Sequence, residues 1–250
     1  MSEMPVLALD RVTRSHRVGR ERSAVLDAVC LEVWPGEIVA ILGQRRAGKT
    51  TLLRIVAGIE AADAGTVRLD GEALGTLPAS TRTRRLRAVG FAPKTWRVAR
   101  GKPVLDHVAL PLLAEGRPLV TALAKAHEAL ERAGAAHCAG AMAEELAPAD
   151  ETRVALAQAL VREPRLLLVD EPGVMAGPDE RDELLRLLRN LAAEDPGLAL
   201  VMTARDVAGV SGAGRVLTLD DGVLRGASAP PSADVLTFPG GIAVEATPIR

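Results

Sequence analysis

The chain has 250 residues, enough to bury a full core as one large domain or two small ones. Its 31 basic and 32 acidic residues leave a net charge of −1, which excludes binding to nucleic acid or an acidic membrane surface through global charge. Two cysteines are too few for a disulfide framework and point to a reducing compartment, and no apolar run is long enough to span a bilayer.

The first residues, MSEMPVLALDRV, lack the charged start and apolar run of a signal peptide. Val6 to Leu9 reads as a strand, followed by a polar, basic loop from Thr13 to Ser23. Val25-Leu26 and Val29 to Val33 follow as strand, with Cys30 expected in the core, and Pro35-Gly36 makes a turn. Gly65 to Gly71 is a strand closed by a tight turn. The basic run Thr81 to Arg87 reads as a solvated helix face. Residues 94–163 are mostly helical: Thr121 to Gly134 carries a capping residue, apolar spacing and a terminal glycine, and a second helix runs from about Asp150 to Arg162. His107 and His127 fall on helices as surface or packing residues, and His137-Cys138 are adjacent without the spacing of a metal site. Leu166 to Val169 is an apolar strand ending in Asp170-Glu171. A helix from Pro178 turns Leu184, Leu185, Leu188 and Leu191 inward, and Leu198 to Thr203 is a further strand. Arg215 to Leu219 enters a hairpin turn at Asp221-Gly222, and from 228 the composition shifts to Ala, Pro and Ser, a weakly structured tail or edge segment.

The chain is organised around Ile38 to Thr51. The apolar run Ile38 to Leu42 is a buried strand, it breaks at Gly43, and helical periodicity resumes from Gly48 to Gly58. Gly43, Gly48, Lys49 and Thr50 match G-x-x-x-x-G-K-[ST] in the strand–loop–helix context that a phosphate-binding loop requires. The expected cradle is Gly43, Gln44, Arg45, Arg46, Ala47, Gly48, Lys49, Thr50 and Thr51, whose backbone N–H groups converge on an anion. Lys49 would reach the outer phosphates and Thr50 would offer its hydroxyl to Mg²⁺. Asp170, at the end of a parallel-type strand, is placed to hold the same metal, and Glu171 to orient or deprotonate an attacking water.

With these residues in view, the chain resembles the ATP-binding cassette ATPases over about residues 5–225. Gly43 to Thr51 is similar to their Walker A motif, Leu166 to Glu171 to Walker B with its catalytic glutamate, and Arg153 to Leu160 to the helix between signature and Walker B. Val104 to Leu112 resembles a segment of the lipoprotein- and macrolide-export branch. The resemblance implies an α/β P-loop fold with a β-rich arm and a helical subdomain, residues 1–227 as the nucleotide-binding domain and 228–250 as a tail. It also implies ATP and Mg²⁺ as ligands, a homo- or heterodimer with nucleotide between the copies, and a membrane permease as partner. The chain would then lie in the cytoplasm, peripheral on the inner face of the membrane.

The family's pattern is altered at the chemistry. Lys94 stands where the resemblance expects the Q-loop glutamine, and Leu146-Ala147-Pro148-Ala149-Asp150 where it expects Leu-Ser-Gly-Gly-Gln. Ala147 lacks the serine hydroxyl and Pro148 a backbone donor. Arg205 replaces the switch histidine, Gly177 the D-loop aspartate, and His16 the aromatic that stacks adenine. Arg46 occupies the position of a third glycine, strained if φ there is positive. Lys94, Arg205 and Arg46 all add positive charge, so the site is expected to bind nucleotide with reduced need for Mg²⁺; long cations also commonly extend into solvent.

Two functions follow. The chain is the ATP-binding subunit of an exporter, with Glu171, Lys49 and Arg205 as its catalytic groups, or it is a nucleotide-responsive regulatory module that turns over little. A third reading, a GTPase or small-molecule kinase, is weak, since no Asn-Lys-x-Asp run is present and the residues after Lys49 fit the cassette pattern better.

Overall fold

Apolar residues spaced two apart divide this molecule between two cores that share one sheet. The computed structural model describes residues 4–18, 21–96, 101–174, 177–226, 236–237 and 243–244. The shared sheet has six strands: β3 (Ile38–Leu42), β6 (Val89–Ala92), β7 (Leu166–Val169), β8 (Ala199–Ala204), β9 (Arg215–Asp220) and β10 (Val223–Arg225). Their order is β10-β9-β3-β8-β7-β6, parallel except for β10. Val39 and Ile41 of β3, Leu166 and Leu168 of β7, and Ala199 and Val201 of β8 face one core. Ala40, Leu167, Val169, Leu200 and Met202 face the other. Both faces are covered, as the continuous apolar runs require.

On the first face lies an antiparallel sheet in the order β2-β1-β4-β5, made of β1 (Leu7–Val18), β2 (Glu21–Val33), β4 (Ala64–Leu69) and β5 (Glu72–Ala73). The expected loop from Thr13 to Ser23 is instead strand up to Val18 and again from Glu21. An antiparallel ribbon needs no apolar face where water covers it, so polar residues carry the ladder. Arg14 anchors it to Glu60 and Asp63 at 2.8 and 2.7 Å. Cys30, expected in the core, is exposed, because Val29, Leu31 and Val33 take the inward positions of β2. Asp70-Gly71, the predicted tight turn, and Asp221-Gly222, the predicted hairpin turn, all lie at positive φ and each closes an antiparallel pair.

On the second face lie α3 (Val104–Leu113), α4 (Leu119–Arg132), α5 (Pro148–Leu160) and α6 (Pro178–Glu194). The α5 helix begins two residues before its expected start because Pro148 fits the first helical turn. Trp96 ties the region to the sheet: its indole N–H donates to Gln158 Oε1 (3.0 Å), and its ring meets His107 edge-on at 5.5 Å. His107 is buried and His127 lies on the α4 surface, 3.5 Å from Glu131. The basic run forms α2 (Ala79–Leu86), which buries no residue and pairs Arg85 with Glu72. Of the expected tail, only the two-residue ladder Leu236–Thr237 with Ala243–Val244 falls among the described residues. Among those residues no helix is long and apolar enough to cross a membrane.

Candidate functional site

Three adjacent parallel strands bring the site together. The register pairs Leu42 of β3 with Ala204 of β8, and Val169 of β7 with Met202 of β8. The phosphate loop after β3 and the Asp170–Glu171 pair after β7 therefore finish on either side of Thr203, at the carboxyl edge where open parallel sheets bind ligands.

The loop is held by its glycines. Gly43 donates its N–H to Ala204 O (3.1 Å), and a Cβ there would meet Leu219 O at 2.5 Å. At Gly48, φ is 100° and a Cβ would lie 2.4 Å from Val25 O. Arg46 adopts φ 70°, the left-handed conformation that its position demands and that costs an L-residue about 1–2 kcal/mol. Its side chain, with those of Gln44 and Arg45, is exposed, whereas Gly48, Lys49 and Thr51 are buried and Ala47 and Thr50 half-buried. The helix α1 (Lys49–Val56) that follows has no side-chain cap and no acidic residue in its first turn. Its leading N–H groups lack intrahelical acceptors and present the positive end of the helix dipole to an anion.

Lys49 is only 4% exposed. Its ammonium donates to Gly43 O (2.6 Å) and Gln44 O (3.0 Å) and lies 3.2 Å from Glu171 Oε1. The ammonium is thus held by two carbonyls and one carboxylate. Asp170 accepts from Thr50 Oγ1 and from Thr203 Oγ1, each at 2.8 Å, and Thr203 Oγ1 in turn accepts the Glu171 N–H at 2.9 Å. The donor set around Asp170 and Thr50 is all oxygen, which suits a hard divalent cation such as Mg²⁺.

Glu171 is the most contested group. Lys94 Nζ and Arg205 Nε approach its Oε2 at 2.8 and 2.7 Å, while Lys49 holds Oε1. Lys94 and Arg205 therefore turn inward rather than into solvent. Burial pushes the Glu171 carboxyl up, but the hydrogen bonds from Lys94 and Lys49 outweigh it and hold the group below the usual range. The residue sits at φ 48°, an uncommon conformation for a non-glycine residue. Beyond it opens a cleft lined by Pro172, Gly173, Arg181, Arg205 and Asp206.

A model of the ABC transporter family matches residues 26–174. The chain belongs to this family. It is 34% identical over 220 residues to the lipoprotein-releasing system ATP-binding protein LolD of Chromohalobacter salexigens, covering 88% of this chain and 92% of that one. It is 31% identical to the macrolide export ATP-binding/permease protein MacB of an Azoarcus species, covering 87% of this chain but only 33% of that longer protein. The dimeric structure of MJ0796, a bacterial ABC transporter cassette, superposes with a TM-score of 0.80 at 26% identity, over 87% of this chain and 96% of that one.

The chain is accordingly an ATP-binding protein of the ABC transporter family, in its lipoprotein and macrolide branch. These relatives do not favour the regulatory-module reading. ABC proteins bind ATP, generally with Mg²⁺, dimerise, and work with membrane permeases. Of the residues singled out in the sequence, Lys49, Thr50, Lys94, Asp170, Glu171 and Arg205 form one hydrogen-bonded set with Thr203. His16 stands apart from that set: its Nε2 lies 2.7 Å from Glu60 Oε1 on the antiparallel sheet. Gly177 is the N-cap of α6, its N–H donating to Glu180 Oε2 at 2.9 Å. Sequence reasoning missed Thr203. The available signal was a hydroxyl near the end of an otherwise apolar strand, fully buried in the structure.

Proposed function

We propose that the chain is the ATP-binding motor subunit of a membrane exporter, acting as a homo- or heterodimer on the cytoplasmic face of a permease. The observation that carries the reading is the convergence of Lys49, Thr50, Asp170 and Glu171 at one edge of the sheet. The phosphates would lie on the loop N–H groups of residues 43–51, with Lys49 exchanging its contact with Glu171 for a phosphate oxygen. Thr50 and Asp170 would hold Mg²⁺, which supplies charge neutralisation to the phosphates when bound. Glu171 would position and deprotonate the attacking water.

Hydrolysis requires Glu171 to lose at least one of the cations now on it, because an engaged carboxylate of lowered basicity is a poor proton acceptor. The γ-phosphate, with its greater negative charge, competes for Lys94 and Arg205, so nucleotide binding would loosen the base only in part. Those two cations would also supply part of the charge that Mg²⁺ otherwise brings. Slow turnover in the isolated chain is the consequence.

ATP titration into the full chain, with Lys49→Ala alongside, tests the assignment. Binding to the native chain and its loss in the variant supports the reading. Equal binding by both would contradict it.

A further inference from the structure

The helical face carries a second set of chemistry-bearing side chains. His137 and Cys138 lie in a short 3₁₀ turn (Ala136–Cys138), and Asp150 lies in the first turn of α5. One nitrogen, one sulfur and one carboxylate oxygen from these residues all fall within 4.8 Å of one another. His137 Nε2 and Asp150 Oδ1 are 3.2 Å apart. That contact is a hydrogen bond; two such donors, each about 2.0 Å from a tetrahedral ion, stand about 3.3 Å apart, so an ion could take the place of the shared proton with little movement of either side chain.

The burial is graded in the same sense. Cys138 is 3% exposed, the Asp150 side chain 29% and the His137 side chain 64%. The thiol lies on the inner side and the imidazole on the outer. The nearby cation, Arg153, is drawn to Glu183 at 3.0 Å. A thiolate, an imidazole and one carboxylate suit zinc and its neighbours and not magnesium or calcium, which take oxygen.

We propose that His137, Cys138 and Asp150 form a binding site for Zn²⁺ or a similar transition-metal ion, with water in the fourth position. The adjacent histidine and cysteine have no metal spacing along the chain; folding brings Asp150 to them. The ion would fasten the 3₁₀ turn to the start of α5, within the Leu146–Asp150 segment that stands in the place of the signature motif. The site is independent of the reading of the phosphate loop.

The test uses the full chain, titrated with Zn²⁺ against a chromophoric chelator and with Co²⁺ followed by absorption. Expected are about one ion per chain and a thiolate-to-Co²⁺ band that Cys138→Ser removes and Cys30→Ser leaves. His137→Ala, at an exposed position, should weaken Zn²⁺ binding at least about tenfold. Zn²⁺ should raise the melting temperature of the native chain and not of that variant. The absence of a thiolate band, a band that depends on Cys30, or equal Zn²⁺ affinity in the native chain and His137→Ala would each overturn the proposal.

Discussion

Lys94 donates to Glu171 Oε2 across 2.8 Å, so the residue at the Q-loop position is bound to the carboxylate assigned to the attacking water. Arg205, at the switch position, reaches the same oxygen at 2.7 Å. Two departures from the family pattern that lie far apart in sequence thus act on one group. In the proposed mechanism they restrain the base rather than remove it.

Replacing Lys94 by glutamine should therefore raise turnover. Lifting a restraint of about 1.4 kcal/mol corresponds to about tenfold in kcat. Arg205→His should act in the same direction, and the double variant should give less than the product of the two, because both relieve one oxygen. Steady-state phosphate release at saturating ATP measures this. Unchanged or lower kcat in Lys94→Gln would show that Lys94 does not restrain Glu171.

The same cations predict the metal dependence of binding. ATP affinity measured with a chelator present should fall by no more than about tenfold, about 1.4 kcal/mol. In Lys94→Gln the fall should be larger. Complete loss of binding on chelation in the native chain would contradict the substitution of cationic side chains for part of the metal's charge.

Thr203→Val should destabilise the fold more than Thr203→Ser, which keeps the hydroxyl and loses only a buried methyl. The valine leaves Asp170 Oδ1 and the Glu171 N–H without their buried partner, at a cost of about 1–3 kcal/mol. In a chain of this size, each kcal/mol lowers the melting temperature by about 2–4 °C. Equal melting temperatures for the valine and serine variants would remove Thr203 from the account.

Acid sensitivity should trace partly to Asp63. Hydrogen bonds from the Ser15 hydroxyl and backbone, followed by Arg14, lower its pKa from 3.8 to about 2. A group depressed in the folded state stabilises it above the unfolded value, and that stability is lost as pH falls through the folded value. Asp63→Asn should accordingly flatten the stability profile between about pH 4 and pH 2. Denaturant unfolding across that range checks it, and an unchanged slope would contradict it.

Much of this was legible in the residues. The run Ile38 to Leu42, the glycines at 43 and 48, and the carboxylates after Leu166–Val169 are local signals, and each fell on the expected element. What the sequence hid depends on chain segments meeting. The polar end of β1 has no apolar alternation of its own, and Arg14 and Ser15 are fixed by Asp63 and Glu60 from another part of the chain. The inward turn of Lys94 and Arg205 depends on the buried Glu171 that draws them. Asp150 completes the His137–Cys138 pair only once α5 packs beside the 3₁₀ turn.

In the mechanism proposed above, Glu171 is a working base under cationic restraint. Phosphate release from ATP by the purified chain at high concentration, against Glu171→Gln and with ATP binding followed in parallel, tests it most directly. Expected are slow but measurable release by the native chain, a loss of about 10²–10⁴-fold in the variant, and ATP binding by both. Equal release by the two chains, or no release by the native chain even when ATP is bound, would contradict it.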